Sequence, residues 1–209
     1  MTSASPWLGS ELVLASNNKG KLAEFELLFS ELHLNTQIIP QGQLNIPDAI
    51  EDGLSFIENA IIKARHAARI SGKAAIADDS GLVVPILNGA PGIYSARYAG
   101  EHGNDAANNE KLLQELLPYR KTEQAIKGMF VCVLALLRHA DDPLPIIVQG
   151  IWQGEILDQA RGEHGFGYDP LFWIPELKCS SAEIAKAEKN KISHRGQAMQ
   201  KLKAQLLSS

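Results

Sequence analysis

Polar and apolar positions run along the chain in blocks that read alternately as strands and helices. Glu11 to Ala15 is a short apolar strand, and Ser16-Asn17-Asn18-Lys19-Gly20-Lys21 follows as a polar turn. From Lys21 to Leu32 the apolar residues Leu22, Phe25, Phe29 and Leu32 recur at the spacing of one buried helix face. Ile38-Ile39-Pro40 reads as a second short strand, and Gln41 to Gly53 as loop. Ser55-Phe56-Ile57-Glu58 is a capping box, in which the serine accepts a backbone amide and the glutamate reaches back. The helix it opens runs to about Ser71, with Ile57, Ala60, Ile61, Ala64 and Ala68 as its apolar stripe, and Gly72 ends it. Asn59, Lys63 and His66 share another face, three or four residues apart. Ala74 to Ala77 is a short buried strand, followed at once by Asp78-Asp79-Ser80-Gly81.

The second half continues the alternation. Asp105 to Leu117 reads as a helix stopped by Pro118, and Met129 to Leu137 as a central strand. Ile146 to Ile156 alternates with the period of a half-buried strand. Ser180-Ser181-Ala182-Glu183 is a second capping box. The last helix spans about Ser193 to Leu207, with Met199, Leu202 and Leu206 inward. The mixture of elements predicts an α/β fold. At 209 residues the chain suits one domain, or one with a small second lobe; residues 1–10 read as a tail and 11–209 as the domain.

Charge narrows the partners. Lys and Arg number 20 against 24 Asp and Glu, a net of −4, which argues against broad binding to nucleic acid. A small phosphorylated ligand stays open, because its site needs only a few gathered cations. The two cysteines, Cys132 and Cys179, are too few for a disulfide framework and lack a zinc-ligand spacing. Met1 to Gly9 carries no signal-peptide pattern, and no uncharged apolar run nears the roughly 18 residues of a membrane span. The expected compartment is the cytosol.

Five short stretches carry candidate chemistry. Ser16 to Lys21 lies where a strand gives way to a helix, a place that presents backbone N–H groups and the positive helix end to anions. It lacks the Walker A spacing, and an ordinary polar turn is its rival reading. Asp78 and Asp79 follow an apolar strand, where open sheets place ligands. Their hard oxygens suit Mg²⁺, and a solvated turn is the alternative. Asp48 to Asp52 could add a carboxylate, or be plain surface. Gly162 to Phe172 sets three glycines among aromatics and one aspartate, fit to stack on a base or to make a simple hairpin with core aromatics. Ser193-His194-Arg195-Gly196 puts cations at a helix start, against the dipole, which hints at a ligand as much as at a surface cap.

Order and wording sharpen these signals. Ser16 to Lys21, Phe56-Ile57-Glu58-Asn59-Ala60, Ala77-Asp78-Asp79-Ser80-Gly81-Leu82, Pro91-Gly92-Ile93-Tyr94-Ser95-Ala96-Arg97-Tyr98, Gly165-Phe166-Gly167-Tyr168-Asp169-Pro170 and Ser193-His194-Arg195-Gly196 together resemble the inosine/xanthosine triphosphate pyrophosphatase family. The resemblance covers about residues 11 to 205 and is closest to bacterial members. It implies a mixed central sheet flanked by helices, two lobes with a nucleotide cleft between them, and a homodimer. It implies hydrolysis of the α–β phosphoanhydride of dITP, ITP and XTP to the monophosphate and pyrophosphate, with Mg²⁺ as cofactor. A Maf-like pyrophosphatase acting on other nucleotides, or a non-catalytic nucleotide-binding protein, are the rival functions.

Carried over by position, the resemblance makes Ser16, Asn17, Asn18, Lys19, Gly20 and Lys21 the triphosphate-binding turn, and Lys63 a lysine facing the phosphates. It makes Asp79 the metal ligand and general base, with Asp78 beside it and Ser80 a substrate contact. Phe166, Gly167, Tyr168 and Asp169 become the base-binding segment, Lys189 a further substrate lysine, and His194 and Arg195 the purine-reading pair. Where family members carry two acidic residues before a turn, this chain has Ile50-Glu51-Asp52-Gly53, so Glu51 is the expected third metal ligand.

Overall fold

The structure is a computed structural model that describes residues 9–31, 36–122 and 125–208. Leu32 of the predicted first helix face and residues 1–8 of the expected tail lie outside the described residues. Seven strands hydrogen-bond in the order β2-β1-β3-β4-β5-β6-β7. They are β1 (Glu11–Leu14), β2 (Gln37–Pro40), β3 (Ala74–Val83), β4 (Ile126–Leu137), β5 (Ile146–Ile156), β6 (Phe172–Ile174) and β7 (Cys179–Ser180). β1 runs parallel to β2 and β3, whereas β6 is antiparallel to β5 and β7, so the sheet is mixed. The helices are α1 (Lys19–Glu31), α2 (Phe56–Ser71), α3 (Asp105–Leu116), α4 (Lys186–Ile192) and α5 (His194–Ser208). The expected α/β fold is the one the chain adopts.

One boundary differs in a way that matters for chemistry. The short strand expected over Ala74 to Ala77 extends to Val83, so Asp78 and Asp79 lie inside β3 rather than in a turn after it. The apolar run hid this, because the strand continues through residues buried for their ion pairs and not for their hydrophobicity. The short elements β6, β7 and α4 also escaped the periodicity, being too brief to show a period.

The chain divides into two compact units: Met1–Asp79 with Val133–Gln149 and Ala198–Ser209, and Ser80–Cys132 with Gly150–Gln197. In the first, Leu12, Val13, Leu14, Phe25, Phe29, Ala75 and Ile76 are buried. Phe25 and Phe29 keep the predicted helical face of α1, joined by Leu28. Ser55 caps α2 by accepting the Glu58 N–H, and Gly72 closes it at φ 67°, a left-handed turn that glycine enters without strain. In the second unit, Leu82, Leu112, Leu116, Phe130, Trp152, Leu171 and Phe172 belong to one core cluster.

The strand order reverses within the first unit. From β1, the chain crosses by α1 to β2 on one side, then by α2 to β3 on the other. Open parallel sheets bind ligands beyond the carboxyl ends of the strands where that order reverses. Leu14 pairs with Ile76 there, and the Ala15 N–H donates to the Ile76 carbonyl at 2.8 Å. The Ser16–Lys21 turn therefore starts beside the stretch of β3 that carries Asp78 and Asp79.

Candidate active site

In the first unit the turn after β1 is tightly self-bonded. Ser16 Oγ accepts the Asn18 N–H at 3.1 Å, and Asn18 Oδ1 accepts the N–H groups of Gly20 and Lys21 at 2.9 and 3.1 Å. Asn17 Oδ1 accepts the Gly42 N–H at 2.8 Å. Asn18 is thus the cap of α1, and the Ser16, Asn18, Gly20 and Lys21 amides, expected to be open to an anion, already have partners. Lys19 and Gly20 are exposed, and Lys21 reaches inward. Its ammonium donates to Asp78 Oδ1 at 2.6 Å.

Lys63, on α2, makes the second pair. Its ammonium donates to Asp79 Oδ1 at 2.7 Å and lies 3.2 Å from Glu51 Oε2. Asp78 and Asp79 are adjacent in sequence, and strand geometry sends their side chains to opposite faces. Each therefore has its own lysine, a division the sequence did not reveal.

The acidic loop is fastened at both ends. Gln41 Nε2 donates to Asp48 Oδ1 at 2.6 Å, and His66 Nε2 lies 2.9 Å from the Pro47 carbonyl. At the far end, the Gly53 N–H donates to Asn59 Oδ1 and the Leu54 N–H to Glu58 Oε2, both at 2.9 Å. A Cβ on Gly53 would approach Glu58 Cβ to 2.6 Å, so only glycine fits against the helix start. Glu51 faces Lys63, whereas Ile50 and Asp52 are exposed. Glu58 and Asn59, the positioning residues of this loop, were visible in sequence as a helix cap, a helix face and part of one resemblance motif, with no sign that they hold the loop.

Three carboxylates and two ammonium groups leave this cluster one negative charge in excess. Burial pushes the Asp79 carboxyl up to about 6; Lys63 pulls against that, and Glu51 and Asp78 add to it. For Lys63, burial disfavours the ammonium, but Asp79 above all, with Asp78 and Glu51, outweighs it and raises its pKa. Among the described residues no three acidic, histidine or cysteine side chains converge as a ready-made metal cage. The donor chemistry nonetheless fits Mg²⁺, which takes one or two carboxylates and completes its shell from phosphates and water.

The second unit holds the other predicted residues. Asp169 is buried, and its carboxylate accepts the Phe166 N–H at 2.9 Å, Ser181 Oγ at 2.9 Å and Lys189 Nζ at 2.5 Å. Asp169 thus fixes its own loop and Lys189, and three donors of the chain already occupy it. A Cβ on Gly165 would meet Asp169 Oδ2 at 2.2 Å, and its φ of 84° is left-handed, so glycine is required there twice over. Tyr168 is buried and donates its hydroxyl to the Ser95 carbonyl at 2.9 Å. Phe166, by contrast, is 68% exposed, with the Lys189 ammonium 5.5 Å from its ring centroid. The core-aromatic reading of this segment therefore holds for Tyr168, whereas Phe166 is an exposed ring.

Ser193 caps α5, its Oγ accepting the Gly196 N–H at 3.2 Å. His194 stacks on Phe130 with centroids 4.9 Å apart and planes at 15°, and Arg195 beside it is half-buried. Ser80 is half-buried on β3. Asp105 and Asn109 of α3, which no motif singled out, bond the Gly167 N–H and carbonyl at 2.6 and 2.9 Å.

Comparison with known proteins identifies the family. The sequence pattern of the Ham1 family matches residues 12–205. A dITP/XTP pyrophosphatase of Acinetobacter baylyi is 75% identical over 207 residues, 99% of each chain. The Pseudomonas aeruginosa protein of that name is 57% identical over 196 residues, 94% of this chain and 96% of that one. The solved structure of a HAM1 protein from Coxiella burnetii superposes with a TM-score of 0.89 at 46% identity, covering 95% of this chain and 99% of that one. The extent of these matches leaves one assignment: the chain belongs to the Ham1 family.

Proposed function

We propose that the protein hydrolyses the α–β phosphoanhydride of dITP, ITP and XTP, releasing the nucleoside monophosphate and pyrophosphate and so clearing these nucleotides from the pool. The observation that carries the reading is Lys63, held 2.7 Å from Asp79 and 3.2 Å from Glu51, with a separate Lys21–Asp78 pair beside it. The activity named for its bacterial relatives supports it.

A triphosphate carries about four negative charges, so catalysis of its cleavage is largely positioning and charge stabilisation. Lys21 and Lys63 are the cations for that task. Both now hold carboxylates, and exchange of those partners for phosphate oxygens needs only rotation of flexible side chains. Asp79, relieved of Lys63, then accepts a proton from the attacking water; burial keeps its basicity well above that of an ordinary aspartate. Asp79 and Glu51, which share Lys63, would hold Mg²⁺, which supplies neutralising charge and polarises the phosphates when bound, whereas Asp78 lies on the other face of β3 with Lys21 and does not join them. Asn18 and Asn17 keep the turn in shape by their caps.

In the second unit, Phe166 offers a face for the purine and Lys189 a cation at its edge. His194 and Arg195 supply donors to the 6-oxo group of hypoxanthine and xanthine. Adenine would leave those donors unpaired, and an unpaired buried polar group can discriminate by about 10⁴-fold. The protein works in the cytosol as a homodimer in this reading. The test is steady-state release of pyrophosphate from dITP, ITP, XTP, GTP and ATP with Mg²⁺. Fast release from the first three and slow release from ATP is expected; no release from any of the three would refute the proposal.

A further inference from the structure

We propose that Asp105 and Asn109 of α3 are positioning residues for base recognition: they grip the Gly167 peptide at both ends and so set how the neighbouring Phe166 ring is presented. The inference rests on the reading that Phe166 receives the base.

The grip has a fixed polarity. The Gly167 N–H donates to Asp105 Oδ2 at 2.6 Å, and the Gly167 carbonyl accepts from Asn109 Nδ2 at 2.9 Å. Asp105 and Asn109 stand four residues apart on one face of α3. An ionised aspartate offers only acceptors, and the asparagine amide supplies the donor. The order of the two residues therefore matches the direction of the peptide. Gly167 has φ 62°, a conformation that needs holding as well as a glycine.

The helix that makes the grip is itself anchored. Asn104 caps it by accepting the Ala107 N–H at 3.1 Å. Asn108 is buried; it accepts the Ala99 N–H at 2.7 Å and donates to the Ala96 carbonyl at 3.3 Å. The rest of the loop has its own supports in Asp169 and in the Tyr168–Ser95 bond. Asp105 and Asn109 add restraint only at Gly167, next to the exposed aromatic ring. There is a local cost: Asn109 Oδ1 is buried with no hydrogen-bond partner among the described residues. Native structures seldom leave a buried acceptor unmatched without another constraint on the side chain. The Gly167 carbonyl, which fixes the amide's direction, is that constraint.

The experiment compares wild type with Asp105→Ala, Asp105→Asn and Asn109→Asp. For each, KM and kcat for ITP, the ITP-to-ATP ratio, the melting temperature and hydrogen exchange at the Gly167 amide are measured. Asp105→Ala should raise KM for ITP about 5- to 10-fold, the effect of one hydrogen bond, with kcat within about twofold. It should also speed exchange of the Gly167 amide. Asp105→Asn should restore both, since its Oδ1 still accepts. Asn109→Asp should fail like Asp105→Ala, since a carboxylate has no hydrogen for the carbonyl. Wild-type KM and exchange in Asp105→Ala, or equal defects in Asp105→Asn and Asp105→Ala, would overturn the inference alone. A wild-type protein that releases no pyrophosphate from ITP would overturn the proposed function and this inference with it.

Discussion

The two units prepare their chemistry in opposite ways. In the first, the reactive groups are bound to one another: Lys21 to Asp78, and Lys63 to Asp79 and Glu51. In the second, besides the Lys189–Asp169 pair, the polar groups are mostly bound to the backbone they shape: Asp169 to Phe166, Tyr168 to Ser95, and Asp105 to Gly167. A buried cation or carboxylate needs a partner at all times, and a mobile ion pair supplies one that substrate can replace. A surface for a flat base needs shape, and shape comes from rigid loops that no ligand has to rearrange. On the proposed function, the Lys21 and Lys63 cluster should therefore answer mutation through turnover, and the Phe166 loop through affinity and selectivity.

The largest effect should come from Asp79→Asn. It keeps the side chain's shape and removes its basicity, and turnover of ITP should fall by about 10²- to 10⁴-fold, the usual contribution of a general base. Lys63 keeps Glu51 as a partner, so circular dichroism should be unchanged. Near-normal turnover would remove Asp79 from the chemistry. Lys63→Met should follow with about a 10²-fold loss, mainly in kcat; a loss confined to KM would make Lys63 a binding group only.

At the base end the effects should be smaller and of another kind. Phe166→Ala should raise KM for ITP by the equivalent of about 1–3 kcal/mol of stacking, with kcat nearly intact. A fall in kcat alone would contradict the contrast. His194→Ala should narrow the preference for ITP over ATP by about 10-fold. An unchanged ratio would move base reading to other residues.

The smallest effect is a shift in pH. Asp79 must be ionised to act, so kcat/KM should rise with pH through about 6, the value to which burial lifts its carboxyl. Glu51 adds to that lift by repulsion and shares Lys63. Glu51→Gln removes both influences, favours the ionised Asp79, and should move the acid limb to lower pH. A limb that moves upward would contradict the assigned electrostatics.

The elements with a clear period were legible in the sequence, and so were the residue types that the structure brings together around Lys63. Ser55 and Gly72 bracket α2 as expected, and β5 covers the predicted Ile146 to Ile156. The residues of the candidate site were marked by type and order, Glu51 included. What the sequence withheld was pairing. Asp78 and Asp79 read as one acidic turn, yet the pleat of β3 gives each a different lysine. Asp169 reads as a ligand for base or ribose, yet burial turns it toward its own loop. Asp105 and Asn109 lie in a predicted helix that no motif singled out, because bonds to a residue 62 and 58 positions away leave no local pattern.

The most direct test of the account measures both products formed from ITP. With Mg²⁺ present, IMP and pyrophosphate should form in equal amounts, without orthophosphate, and ATP should be hydrolysed at least about 10²-fold more slowly. Orthophosphate as the first product, or ATP cleaved as fast as ITP, would contradict it.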